Sequence, residues 1–115
     1  MPQYAALLYE ADEDWTQPQH AAALTEYDEF AQAAAAAIRG GAALYPTSTA
    51  TTVQVKGGKG GEIVTSDGPF AETKEVLTGF YLLECADLDE AIATAARIPG
   101  AWHGAVEVRP VIEFA

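Results

Sequence analysis

Asp67-Gly68-Pro69-Phe70-Ala71-Glu72-Thr73-Lys74-Glu75, followed by the apolar run Leu77 to Cys85, is the stretch from which the fold is read. Asp-Gly-Pro is turn chemistry, each residue for its own local reason, and a buried strand does not tolerate it. A solvated loop, in turn, has no need of a ring such as Phe70. Leu77 to Cys85 therefore reads as a long central strand entered through an unusual turn. The apolar residues on both its faces call for cover on both sides of a sheet.

Upstream, Thr51 to Lys56 has the β-branched content of a strand, and Glu62 to Thr65 reads as its partner. Gly57-Gly58-Lys59-Gly60-Gly61 between them forms a hairpin turn. Ala42 to Tyr45 is a further short extended piece, cut by Pro46. Nearer the start, Gln3 to Tyr9 is a short, continuously apolar strand expected to be buried on both faces, and Glu10-Ala11-Asp12-Glu13-Asp14 reads as a solvated loop. Thr16-Gln17-Pro18-Gln19 carries the start signals of a helix. Leu24, Tyr27, Ala31, Ala34 and Ile38 form its apolar stripe, and Arg39-Gly40-Gly41 its end. Downstream, Asp87-Leu88-Asp89-Glu90 repeats the capping pattern and opens a second helix. Its apolar face is Leu88, Ala91, Ile92 and Ala95, and Pro99-Gly100 stops it. Ala105 to Phe114 is the last strand.

Strands and helices in this order predict an α+β ferredoxin-like sandwich, helices on one face of an antiparallel sheet, as a single domain over residues 1–115. The second sheet face is apolar too, so pairing with another copy, face to face, is the expected way to cover it. The expected assembly is a homodimer.

Composition narrows the function. The net charge is −11, with 17 acidic and 6 basic side chains. A nucleic-acid ligand needs a basic face to displace counterions, and an anionic membrane surface makes the same demand, so neither partner is expected. No stretch approaches the ~20 apolar residues of a membrane span. A lone cysteine, Cys85, inside an apolar run reads as a buried thiol, and the absence of disulfides fits a reducing cytoplasm.

The Asp67–Glu75 segment resembles the signature of the DGPF proteins within the YCII-related group. Ala50 to Val55, Leu77 to Leu82, Asp87 to Ala91 and Val106 to Pro110 follow in the matching order. The resemblance covers most of the chain and implies a dimeric α+β barrel built from ferredoxin-like units. Better-understood members of the wider group pair a His with an Asp for acid–base chemistry on small ring compounds. On this chain the Asp of that pair corresponds to Asp67, and the His falls near Tyr27. A phenol titrating near ~10 does not replace imidazole as a proton shuttle at neutral pH unless strongly shifted. The resemblance also implies a regulatory alternative, a non-catalytic accessory protein linked to extracytoplasmic-function sigma factors.

The candidate site residues are Asp67 as the proton-handling group, Phe70 as a pocket wall, and Lys74 or Arg109 as an anion contact. Tyr27 and His103 are further binding candidates. Each has a plainer role: Asp67 in its own turn, Arg109 in an ion pair, His103 in a loop. His20, at the start of the first helix, reads as a solvated surface residue. Two distant His and one Cys give no metal-ligand spacing, so no metal is expected. Gly57 to Gly61 lacks the Gly-Lys-Ser/Thr ending of a phosphate loop. No cofactor is expected, and a small-molecule ligand is the anticipated partner of the pocket.

Overall fold

The computed structural model describes residues 1–114. Four strands form one antiparallel sheet: β1 (Gln3–Ala11), β2 (Ile38–Ala43), β5 (Glu75–Glu84) and β6 (Ala105–Pro110), in the order β2-β5-β1-β6. β3 (Thr51–Lys56) and β4 (Glu62–Asp67) make a separate two-stranded hairpin. The helices are α1 (Ala21–Ala33), α2 (Leu88–Ala95) and the single turn α3 (Gly100–His103). Helix α1 joins β1 to β2 and helices α2 and α3 join β5 to β6, an arrangement compatible with a ferredoxin-like sandwich.

Alternation along β1 decides what faces the helices. Tyr4, Ala6, Leu8 and Glu10 are buried, whereas Gln3, Ala5, Leu7 and Tyr9 are half-buried. The inward set packs with Leu83 of β5, Phe30 and Ala34 of the α1 region, and Ala91, Ala95 and Ile98 from α2 and its end. Leu83 and Ile98 are fully buried, each adding about 1.5–3 kcal/mol of burial free energy. Helix α2 starts as expected, with the Asp87 carboxylate accepting from the Glu90 amide at 2.9 Å. Cys85 is buried, and that burial pushes its thiol up from the ordinary value.

Several boundaries differ from the sequence reading. β1 runs on through Glu10, so that residue is an inward strand position and not part of a solvated loop. Helix α1 ends at Ala33, and Arg39-Gly40-Gly41 lies inside β2 instead of capping the helix. Pairing with β5 decides this, because a Cβ on Gly41 would lie 2.6 Å from the Phe80 carbonyl oxygen. Only a glycine lets β2 approach so closely. Along α1 and the residue that follows it the packed stripe is Tyr27, Phe30 and Ala34, while Leu24 is 44% exposed. On α2 the inward face is Ala91, Thr94 and Ala95; Leu88 and Ile92 turn outward at 49% and 51% exposure. β6 stops at Pro110, short of Phe114.

The hairpin is an arm. All of β3 except Thr52, and all of β4, is exposed. The chain's radius of gyration is 16.3 Å, against about 13 Å for a compact chain of this size. Register places Val53 opposite Thr65 and Val55 opposite Ile63 on one face of the arm. Val53, Val55 and Ile63 are 59%, 46% and 71% exposed. Gly57, Gly58 and Gly60 turn the arm with positive φ. Its root is tied by the Gly68 amide to the Ala50 carbonyl (2.8 Å) and by the Thr52 hydroxyl to the Gly68 carbonyl (2.8 Å).

Candidate functional site

A cavity of about 290 Å³ lies where α1 crosses the β1–β5–β2 side of the sheet. Leu8 and Glu10 enter it from β1, Leu24 and Tyr27 from α1, and Trp15 from the loop between them. β2 contributes Gly41 to Ala43, and β5 contributes Thr78 to Tyr81. Its lining is mainly apolar, and its polar core is a single network.

Glu10 is that core. It is only 5% exposed, and its oxygens are shared between two hydroxyl donors. Tyr27 Oη donates to Oε1 at 2.9 Å and Thr78 Oγ1 to Oε2 at 2.5 Å. The pairing comes from the strand pattern: Glu10 continues the inward series Tyr4, Ala6, Leu8, and the register irregularity at Leu8/Tyr9 sets Thr78 of β5 beside it. Gly100, at the start of α3, packs against the Glu10–Tyr27 pair. A Cβ there would lie 2.9 Å from both Glu10 Oε1 and the Tyr27 hydroxyl oxygen.

Burial pushes the Tyr27 hydroxyl far above the ordinary phenol value, and the neighbouring Glu10 charge and hydrogen bond add to the effect. The Gly100 backbone acts weakly in the opposite sense. Tyr27 therefore keeps its proton at neutral pH and serves as a donor; the shift moves it away from base chemistry. Tyr81 is pushed up as well, first by burial and then by the charges of Glu10 and Asp28.

The loop that carries Trp15 is pinned at both ends. Asp14 accepts from the Thr16 amide (2.9 Å), the Thr16 hydroxyl (2.6 Å) and Gln17 Nε2 (3.1 Å), and these bonds hold its carboxyl below the usual range. Asp12 accepts from the Thr47 amide at 2.9 Å and from the Thr47 hydroxyl, which lowers its pKa too. Trp15 stacks on His20 with ring centroids 4.4 Å apart. The His20 side chain is only 12% exposed, so it is an inner support of this loop and not a solvated residue. Trp15 Nε1 and His20 Nε2 are buried without a hydrogen-bond partner among the described residues.

Of the residues singled out by sequence, Tyr27 alone lines this cavity. Asp67 ends β4 on the arm, exposed, and Phe70 is 81% exposed. Lys74 is exposed between the arm and β5. His103 is exposed at the end of α3. Arg109, 68% exposed on β6, pairs with Glu107 two residues away. The structure thus gathers none of these five at the cavity within one chain. Glu10, Trp15 and Thr78 were not anticipated. Period-two counting from Tyr4 would have placed Glu10 on the inward face.

Among the described residues no cluster of His, Cys, Asp or Glu is arranged to hold a metal ion. No helix there is long and apolar enough to cross a membrane.

Comparison with known proteins agrees with the fold. An uncharacterised protein of Rhizobium meliloti (strain 1021) is 49% identical over 72 residues, covering 61% of this chain. The matched part spans 56% of that relative's length. The model of the YCII-related domain matches residues 3–115, so the chain belongs to the YCII-related domain family.

Proposed function

We propose that this chain binds a small organic molecule in the Glu10 cavity and uses the Glu10 carboxylate as its polar anchor, the group placed to accept a proton. The observation that carries this reading is a carboxylate, 5% exposed, held by two hydroxyl donors on the floor of an otherwise apolar hollow. Apolar walls around a few convergent polar groups are the usual form of a small-ligand site. Acid–base chemistry on a small ring compound fits the flat walls given by Trp15, Tyr27 and Tyr81. In it Glu10 takes the proton, and Tyr27 and Thr78 position the carboxylate.

Membership in the DGPF subgroup and the homodimer belong to the same proposal. A two-stranded ribbon alone is marginal in water, and the arm leaves Val53, Val55 and Ile63 uncovered. A second copy supplies a matching surface, the open sheet face of Ala5, Leu7 and Tyr9 with Leu82 and Leu77 opposite them. In such a pair the Asp67–Glu75 segment reaches a cavity only from the neighbouring copy, and Asp67, Phe70 and Lys74 act there. A buried, unpaired Cys85 suits the cytoplasm. The accessory-protein reading draws on the same exposed arm, with a regulatory protein in place of the second copy.

The test is a screen of small cyclic metabolites followed by the Trp15 indole N–H signal in NMR and by thermal shift. Ligands that move that signal, and lose their effect in Tyr27→Phe, are expected. If no compound perturbs Trp15 and all stabilisation maps to the arm, the protein is an interaction module.

A further inference from the structure

Resting on that reading of the cavity, we infer that its ligand is a small organic cation, a primary ammonium on a flat apolar skeleton, with the ammonium against Glu10. The argument begins with a charge that lacks a counter-charge. Glu10 is almost wholly removed from water, yet both its hydrogen-bond donors are neutral hydroxyls. The ion pairs among the described residues involve Glu13, Glu84 and Glu107, and none involves Glu10. A buried carboxylate with no cation beside it is expensive, and folded proteins ordinarily pair such groups. Each carboxylate oxygen here accepts one bond and keeps the capacity for a second, which an ammonium group entering from the cavity would use.

The walls suit the same ligand. The rings of Trp15, Tyr27 and Tyr81 border the cavity, and aromatic faces attract a desolvated cation. Tyr27 cannot supply a competing positive charge, and its upward-shifted hydroxyl remains a donor to Glu10. The surroundings are acidic: Asp28 acts on Tyr81, and the chain as a whole carries −11. That field concentrates cations and repels carboxylate or phosphate ligands. A cavity of about 290 Å³ matches a one-ring amine.

The experiment uses three probes of one shape: 2-phenylethylammonium, 2-phenylethanol and 3-phenylpropanoate. They are titrated into the full chain with a Trp102→Phe exchange, so that the remaining indole N–H signal is Trp15. The ammonium is expected to bind at least tenfold more tightly than the alcohol, with no binding of the propanoate. Added salt should weaken the ammonium and leave the alcohol unchanged. In Glu10→Gln the preference should vanish. Because that variant removes a buried group, the probe ratio in the unaltered site stands as an independent criterion. Equal affinity for ammonium and alcohol overturns the cation assignment while the cavity remains a ligand site. Failure of all three probes to move Trp15 overturns the cation assignment, and failure of the cyclic-metabolite screen as well overturns the ligand site.

Discussion

Tyr27→Phe isolates the network at the site, because it deletes one oxygen and preserves the ring that packs against the core. The hydroxyl donates to Glu10 Oε1 at 2.9 Å. Without it that buried oxygen lacks a protein donor, an omission that costs about 1–3 kcal/mol. The loss should depend on pH, with a sign fixed by the upward shift of the phenol. In the unfolded chain the tyrosine titrates near ~10, so above that pH the unfolded state releases the proton first. The protonated hydroxyl's contribution is therefore complete below pH ~10 and is lost as pH climbs toward the higher folded value. One such proton lowers stability by at most ~1.4 kcal/mol per pH unit, less where water screens the half-buried ring. Urea unfolding at pH 7, 9, 10 and 11 should show the variant weaker at pH 7. The gap should narrow by roughly 1 kcal/mol at pH 11. Tyr81 is also shifted upward and acts on Tyr27, so both proteins are compared in a Tyr81→Phe background, which removes its titration from the difference. A gap constant from pH 7 to 11, or no gap at all, would refute the placement of this hydroxyl against a buried carboxylate.

Gly100→Ala should destabilise by ~1–2 kcal/mol in chemical denaturation, since crowding against Glu10 and Tyr27 outweighs the gain in helix propensity. It should also weaken binding of any cavity ligand. Asp67→Asn should leave stability within ~0.5 kcal/mol, as expected for an exposed position. It should nevertheless lower ligand affinity in the paired protein; unchanged affinity would separate the Asp67–Glu75 segment from the cavity. Val53→Ser with Ile63→Ser should shift sedimentation from dimer to monomer without unfolding the sheet. An unaltered sedimentation profile would remove the arm from the interface.

The sheet was legible in the sequence wherever one face is buried and the other is not. The capping pair Asp87/Glu90 survives folding unchanged, because local chemistry and packing favour the same answer there, whereas β1, whose apolar run suggests burial on both faces, alternates between buried and half-buried positions. Legibility failed where tertiary contact overrode a local signal. Arg39-Gly40-Gly41 has the chemistry of a helix end, but β5 offers a pairing edge that at position 41 only glycine can approach. Leu88 and Ile92 looked like core, yet the space against the sheet admits Ala91 and Ala95 and leaves the larger side chains outside.

The site follows the same logic. The Asp67–Glu75 segment draws the eye because its composition is odd, but odd composition marks a constraint without saying which surface imposes it. Glu10 drew no notice because it opens a run of acidic residues, and a charge run ordinarily means solvent. What distinguishes it is parity: it is the fourth inward position of a strand that begins at Gln3, whereas its acidic neighbours lie beyond the strand. The buried carboxylate thus becomes visible only when the strand is carried past Tyr9, the last residue of its apolar run. Nothing in hydrophobicity licenses that extension. The donors do: Tyr27 one helix away and Thr78 on the adjoining strand make an inward glutamate tolerable, and neither is a neighbour in sequence.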